Sequence, residues 1–190
     1  MPISSDIEII VEHTLQNEDN LQLATKVSAA FEQVRQRIVS EFIKKLQADL
    51  LARLGDPWAV EQYRDEDALG AGCLVEIQKK RWRDICSVGL AGDKDGPSDV
   101  DYYVWVNPDM PGKARLAADL KEALDETHGT GKKDAEVAWW SFLEPPYDDW
   151  TTERALVLLY RKADAAEEIA GQLESICRTV EPIADRRVRK

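Results

Sequence analysis

The sequence is poor in the side chains that most often build reaction centres. Two histidines, His13 and His128, are present in 190 residues. Nucleophile–base catalysis places an orienting base, commonly a histidine, beside Ser, Cys or Thr. His13 falls in a first helical segment and His128 precedes Gly129 at a helix end, where a cation suits the helix dipole. Neither sits in a nucleophile motif, and surface and helix-end roles account for both. Three cysteines (Cys73, Cys86 and Cys177) are odd in number, widely spaced and free of any CxxC pair. They indicate neither a disulfide framework nor a zinc centre, and buried reduced thiols are expected. Walker, GxGxxG and HExxH motifs are all missing, so no cofactor or small-molecule substrate is indicated. No apolar run approaches the ~20 residues of a bilayer-spanning helix, and no leader pattern opens the chain. A soluble, cytoplasmic protein is the expectation, with no membrane partner.

Hydrophobic residues make up 44% of the chain, enough to fill a core and to argue against wholesale disorder. Acidic residues number 36 against 25 basic, a formal net charge of −11. That balance repels a polyanion at long range and disfavours non-specific nucleic-acid binding. It fits good solubility, or an acidic face offered to a basic partner.

Ser5-Asp-Ile-Glu8 has the form of a capping box, followed by Ile7, Ile10, Val11 and Leu15 at helical spacing. From Leu21 to Leu54 there is no Gly or Pro, and Ala24, Val27, Phe31, Val34, Ile38, Phe42, Leu46 and Leu50 recur in steps of three and four. This predicts one amphipathic helix about 50 Å long at about 1.5 Å per residue. Its first steps alternate three and four, as in a coiled-coil seam, and its later ones are fours, so the stripe drifts. Such a helix either bends back, pairs with the first helix, or docks on a partner or a second copy. Gly55 then supplies a stop, and Asp56-Pro57 predicts a short helical turn carrying Trp58 and Tyr63. Asp65-Glu-Asp67 and Gly70-Ala-Gly72 read as a joint, dividing a helical arm (1–69) from a body (70–190).

Within the body, Cys73–Trp82 and Asp84–Ala91 predict two strands, and Gly92–Ser98 a turn. Val100–Val106 and Glu136–Leu143 are dense in β-branched and aromatic residues and predict two more. Between them, Leu116, Leu120, Ala123 and Leu124 mark a helix over Lys113–Thr127 that needs a sheet to lie on. Thr152–Arg161 predicts a helix, with a strand through Leu-Val-Leu-Leu as the alternative. Asp164-Ala-Ala-Glu167 heads a last helix with Ile169, Leu173, Ile176 and Val180 on one side, ended by Pro182 and followed by a frayed basic tail. The fold class is α+β: an antiparallel sheet of about four strands, helices packed on one face, and a long N-terminal helix before it.

Two constellations bear on chemistry. Asp93, Asp95, Asp99 and Asp101 alternate around a hairpin, but no bidentate Glu arrives in register for a calcium loop. Glu76-Ile-Gln-Lys79, with Asp67 upstream, comes near the carboxylates and lysine of a metal nuclease, yet the lysine is one residue late. Strand alternation then sends Glu76 and Lys79 to opposite faces. Lys79-Lys-Arg-Trp-Arg83 beside it reads as a solvated edge.

The order of long helix, Trp-ended strand (Leu74–Trp82), aromatic strand (Tyr102-Tyr-Val-Trp105), amphipathic helix, Trp139-Trp140 and closing helix ending Val180-Glu-Pro-Ile-Ala-Asp185 resembles the region that follows the nuclease domain in bacterial and phage PD-(D/E)XK-type proteins. The resemblance covers about Leu21 to Arg187. It implies an accessory or interaction module, supplies no catalytic residues, and points to a phage-borne or defence-related setting.

A non-enzymatic interaction protein is therefore the leading expectation, with a protein partner or a second copy of itself in a homodimer. Phe31, Ile38 and Phe42 on the long helix, and Asp93, Asp95, Asp99, Asp101, Asp148 and Asp149 on the acidic loops, are the candidate contact residues. One alternative is an acidic inhibitor mimicking DNA, which requires those carboxylates to converge on one face. The other is a degenerate metal nuclease using Glu76 and Asp67.

Overall fold

The computed structural model describes residues 5–61, 72–93 and 97–188. The chain divides into two compact units, 1–38 and 39–190. The first holds α1 (Ser5–Thr14) and the opening part of α2 (Glu18–Leu54), which runs on unbroken into the second. The joint expected at Asp65–Asp67 and Gly70–Ala71 lies outside the described residues, as does Tyr63.

The expected α+β architecture is present. Five antiparallel strands, β1 (Trp58–Glu61), β2 (Cys73–Lys79), β3 (Cys86–Ala91), β4 (Asp101–Val106) and β5 (Val137–Phe142), lie in sequence order. The added strand is β1, where a helical turn had been expected. Trp58-Ala-Val-Glu61 alternates apolar and small or polar residues, a strand pattern. Pairing with β2 from Trp58–Lys79 to Glu61–Glu76 satisfies its backbone along one edge. Asp56-Pro57 therefore precedes a strand. The predicted strand Cys73–Trp82 ends at Lys79, and Lys80–Trp82 closes it as a 3-10 turn.

On one face of the sheet lie α3 (Lys113–His128) and α5 (Ala163–Val188), with α4 (Glu153–Arg161) against α5. Leu116, Leu120 and Leu124 of α3 are fully buried, and so are Ile169, Leu173, Ile176 and Val180 of α5. They meet Val75, Ile77, Val88, Leu90, Val104 and Val106, the inward set that a period of two selects on the strands. The run Thr152–Arg161 is helical: Thr152 Oγ1 caps α4 by accepting from the Ala155 N–H at 3.3 Å.

Pro182 does not end the last helix. α5 continues to Val188 with Pro182 inside it. Its far end is pinned to the 3-10 turn after β2, since Asp185 accepts from Trp82 Nε1 at 2.7 Å and from Arg81 Nε at 3.1 Å. Those tertiary bonds outweigh the one backbone bond that proline removes.

In α2 the change of spacing seen in the sequence has a structural meaning. Phe42, Ile43, Leu46, Leu50 and Leu54, on the run of fours, are buried in the second unit. Val27, Phe31 and Val34, on the alternating run, remain half exposed in the first.

Candidate functional site

Alternation along β4 sends Tyr102, Val104 and Val106 to the helical face and Asp101, Tyr103 and Trp105 to the other. Register carries the second set across the sheet: Asp101 faces Ala91, Tyr103 faces Gly89 on one side and Trp140 on the other, and Trp105 faces Ser87 and Val137. Glu76 pairs with Gly89 and so lies on this face too. Gly89 matters here because a Cβ on it would fall 2.4 Å from the Tyr103 ring. The absence of a side chain lets that ring lie flat over β3, with its hydroxyl 3.1 Å from Cys73 Sγ.

The loop between α3 and β5 forms the opposite wall. Lys132 and Trp140 exchange backbone hydrogen bonds at 2.8 and 2.9 Å, folding this segment back along β5. Asp134 Oδ1 accepts from the N–H groups of Glu136 and Val137, both at 2.8 Å. Between this loop and the sheet is a cleft of about 640 Å³, lined among others by Cys73, Asp101, Tyr103, Trp105, Lys133, Asp134, Glu136 and Trp140.

The electrostatics of the cleft are one-sided. Burial, then the nearby charges of Asp134 and Asp99, push the Asp101 carboxyl up to about 7. Burial likewise pushes the Cys73 thiol up to about 11, opposed by the Tyr103 hydrogen bond and assisted by the Glu76 charge. Tyr103 is raised by burial, with Cys73, Glu76 and Asp101 adding to it. Glu76 and Ser87 are 2% and 1% exposed. Glu76 Oε2, Ser87 Oγ and Trp105 Nε1 are buried without a hydrogen-bond partner among the described residues.

Of the acidic residues singled out in the sequence, Asp101 and Asp99 belong to this neighbourhood. Asp99 and Asp148 also line a smaller hollow beside it with Trp140 and Lys132. Asp149 is occupied locally, its Oδ1 accepting from the Thr151 N–H at 2.9 Å and hydroxyl at 2.6 Å. Asp93 is exposed at the hairpin, while Asp95, Asp65 and Asp67 lie outside the described residues. Glu76 and Lys79 are on opposite faces, as alternation requires: Lys79 pairs with Glu181 and Asp185 of α5. Among the described residues no group of three or more His, Cys, Asp or Glu is placed to hold a metal ion. His128 contacts Thr179 and Gln172, each at 3.3 Å, and packs edge-on to Trp139. Partial burial lowers its pKa. Cys86 and Cys177 are buried, with Cys86 pushed by burial up to about 12.

Trp105, Trp140, Asp134 and Glu136 were not singled out from the sequence as a site. The period-two pattern of Asp101, Tyr103 and Trp105 already placed three of the lining residues on one face. What it did not show is which loop returns to meet them.

The first unit presents a different surface. Ile7, Ile9, Ile10, Val11 and Leu15 of the α1 region and Leu21, Leu23, Val27, Phe31 and Val34 of α2 are all about half exposed or more. α1 therefore does not cover the α2 stripe. Ile38 is half-buried, and Phe42, the third contact candidate on this helix, is fully buried edge-on to Trp150 with ring centroids 5.3 Å apart.

No protein-family model matches the chain, and neither a curated protein nor a solved structure matches it. No described helix is long and apolar enough to cross a membrane.

Proposed function

We propose that this chain is a non-enzymatic interaction module that self-associates through residues 5–38, two copies laying their helical arms side by side in antiparallel order. The observation that carries it is the exposed stripe Val27, Phe31 and Val34, at 58%, 53% and 50% exposure. Ile7, Ile9, Ile10, Val11, Leu15, Leu21 and Leu23 of the same unit are exposed as well. Patches above a few hundred Å² mark contact surfaces.

The spacing names a helical partner, because steps of three and four from Ala24 to Ile38 match a helix–helix seam. Charge favours a second copy. Glu8, Glu12, Glu18 and Asp19 precede Asn20 with no Lys or Arg among them, whereas the stretch 26–38 holds Lys26, Arg35 and Arg37 with Glu32 as its one acidic residue. Antiparallel pairing sets the acidic end of one arm against the basic stretch of the other, a two-fold self-complementary arrangement. The resemblance to regions that follow nuclease domains fits the same accessory role.

Sedimentation or light scattering over a concentration series tests this. A dimer is expected for the wild-type chain, and a monomer for the double variant Val27→Glu, Phe31→Glu. Thermal unfolding of the body should be unchanged in that variant, because neither residue is buried. A wild-type chain that stays monomeric at the highest reachable concentration overturns the proposal.

A further inference from the structure

The cleft lies on the sheet face opposite α3 and α5, and its described lining residues all belong to the second unit. It combines three features. Its walls are aromatic, with Tyr103, Trp105 and Trp140; its polar lining is mostly anionic, with Asp101, Asp134 and Glu136 against Lys133. On the same face of the sheet is Glu76, 2% exposed, one carboxylate oxygen without a hydrogen-bond partner among the described residues. Its charge is felt at the lining residues Cys73 and Tyr103.

Buried polar atoms are nearly always paired, and a buried carboxylate without a counter-charge is costly. Here Glu76 Oε2 and Ser87 Oγ, both unpaired among the described residues, share one sheet face with Trp105, whose indole nitrogen likewise has no described partner. A cation in the cleft would add positive charge beside Asp101, Asp134 and Glu136, which Lys133 alone offsets among the described lining residues. Trp and Tyr faces attract cations through the negative π surface, most strongly where water is excluded. Lys132 already shows the local preference, its ammonium lying 4.6 Å from the Trp140 ring centroid.

We propose that this cleft binds a protonated organic amine, with Trp140 and Trp105 contacting its cationic end through their rings and Asp101 supplying the counter-charge. A metal ion fits less well, because among the described residues no three His, Cys, Asp or Glu side chains are placed to hold one. An anionic ligand would meet Asp101, Asp134 and Glu136 directly.

The proposal carries a pH signature. Asp101 is faced by Asp99 on its own strand approach and by Asp134 on the α3–β5 loop, with Glu136, Lys133, Cys73 and Tyr103 completing the surroundings. Affinity for an amine is therefore expected to rise as Asp101 ionises near pH 7, and to fall below it.

The test is a titration of the intact chain with n-butylammonium, butyrate and n-butanol, followed by the indole N–H resonances of Trp105 and Trp140. Saturable shifts are expected from butylammonium alone. Asp101→Asn should weaken its binding about tenfold and flatten the pH profile, and Trp140→Ala should weaken it by a similar factor. Trp140→Phe, which keeps a ring, should recover part of the loss and guards against misfolding of the alanine variant. The proposal is overturned if butylammonium gives no saturable shift at pH 8, if butyrate or butanol shifts the same resonances equally, or if Asp101→Asn binds as wild type. The same amine should bind whether it is free or is a lysine side chain in an acetylated, amidated peptide. Binding of one and not the other decides between a small-molecule and a protein source.

Discussion

Lys79 reaches from β2 to Asp185 on α5 at 3.5 Å, and it does so from a position only 2% exposed. Its ammonium also pairs with Glu181 and lies 4.9 and 5.2 Å from the Trp58 and Trp82 ring centroids. One buried cation thus ties the edge strand, the 3-10 turn and the last helix together. Lys79→Met removes it but leaves Asp185 with Arg81 and Trp82, and Glu181 with Arg178 at 3.4 Å. The expected loss is about 1–3 kcal/mol, below the 3–5 kcal/mol of a pair left wholly uncompensated. Denaturant unfolding measures it, and Lys79→Met with Glu181→Gln should cost less than the two single losses added together.

Pro182 offers a gain in the opposite direction. It sits inside α5, where its ring denies the helix one N–H bond. Pro182→Ala should raise stability by about 1–2 kcal/mol, the interior proline penalty reduced by the extra freedom alanine gives the unfolded chain. Equilibrium unfolding checks this. A loss of stability would mean that the helix turn at Pro182 is shaped by its neighbours to require the ring.

These two sites also mark where sequence reading stops. The helices and the central strands were legible because their burial is periodic: Leu116, Leu120 and Leu124 are buried at steps of four, and Val104 and Val106 at a step of two. Proline at position 182 reads as a terminator because local propensity knows nothing of Trp82 and Arg81, more than a hundred residues away in sequence at the same carboxylate. Trp58–Glu61 was missed for a related reason. Four residues carry too little periodicity to outvote an Asp-Pro start signal, and only the waiting edge of β2 makes them a strand. The cleft was half legible. Its floor follows from alternation, whereas Asp134 and Glu136 arrive by a loop whose path is set by the backbone bridge between Lys132 and Trp140.

Gly89 holds the floor of that cleft in place. Its missing side chain is the space the Tyr103 ring occupies, and the ring in turn brings the hydroxyl to Cys73. Gly89→Ala should displace the ring and cost about 1–3 kcal/mol, the range for overpacking a well-filled site. Pairing the change with Tyr103→Phe should not restore it, because the clash involves ring carbons as well as the hydroxyl. Tyr103→Leu alongside Gly89→Ala, which removes the ring, should recover part of the loss.

Asp101 gives the last expectation, and its sign is opposite to that of Asp185. Burial opposes the Asp185 charge, but the Trp82 hydrogen bond, Lys79 and Arg81 together lower its pKa, so it favours the fold above the carboxylate range and loses that effect in acid. Asp101 is raised instead, to about 7, by burial and by Asp134 and Asp99. Between its unfolded value near 4 and about 7 the folded chain holds a proton that the unfolded chain has released. Stability from this group is therefore full below about pH 4 and lost as pH rises through 7. Asp101→Asn removes the ionisation without changing the shape. It should raise stability at pH 8 by about 1–2 kcal/mol after allowance for solvent screening, or about 2–4 °C in Tm per kcal/mol, and change nothing at pH 4. Calorimetry at the two pH values reads the difference directly; an equal shift at both would mean that packing, and not charge, governs this position.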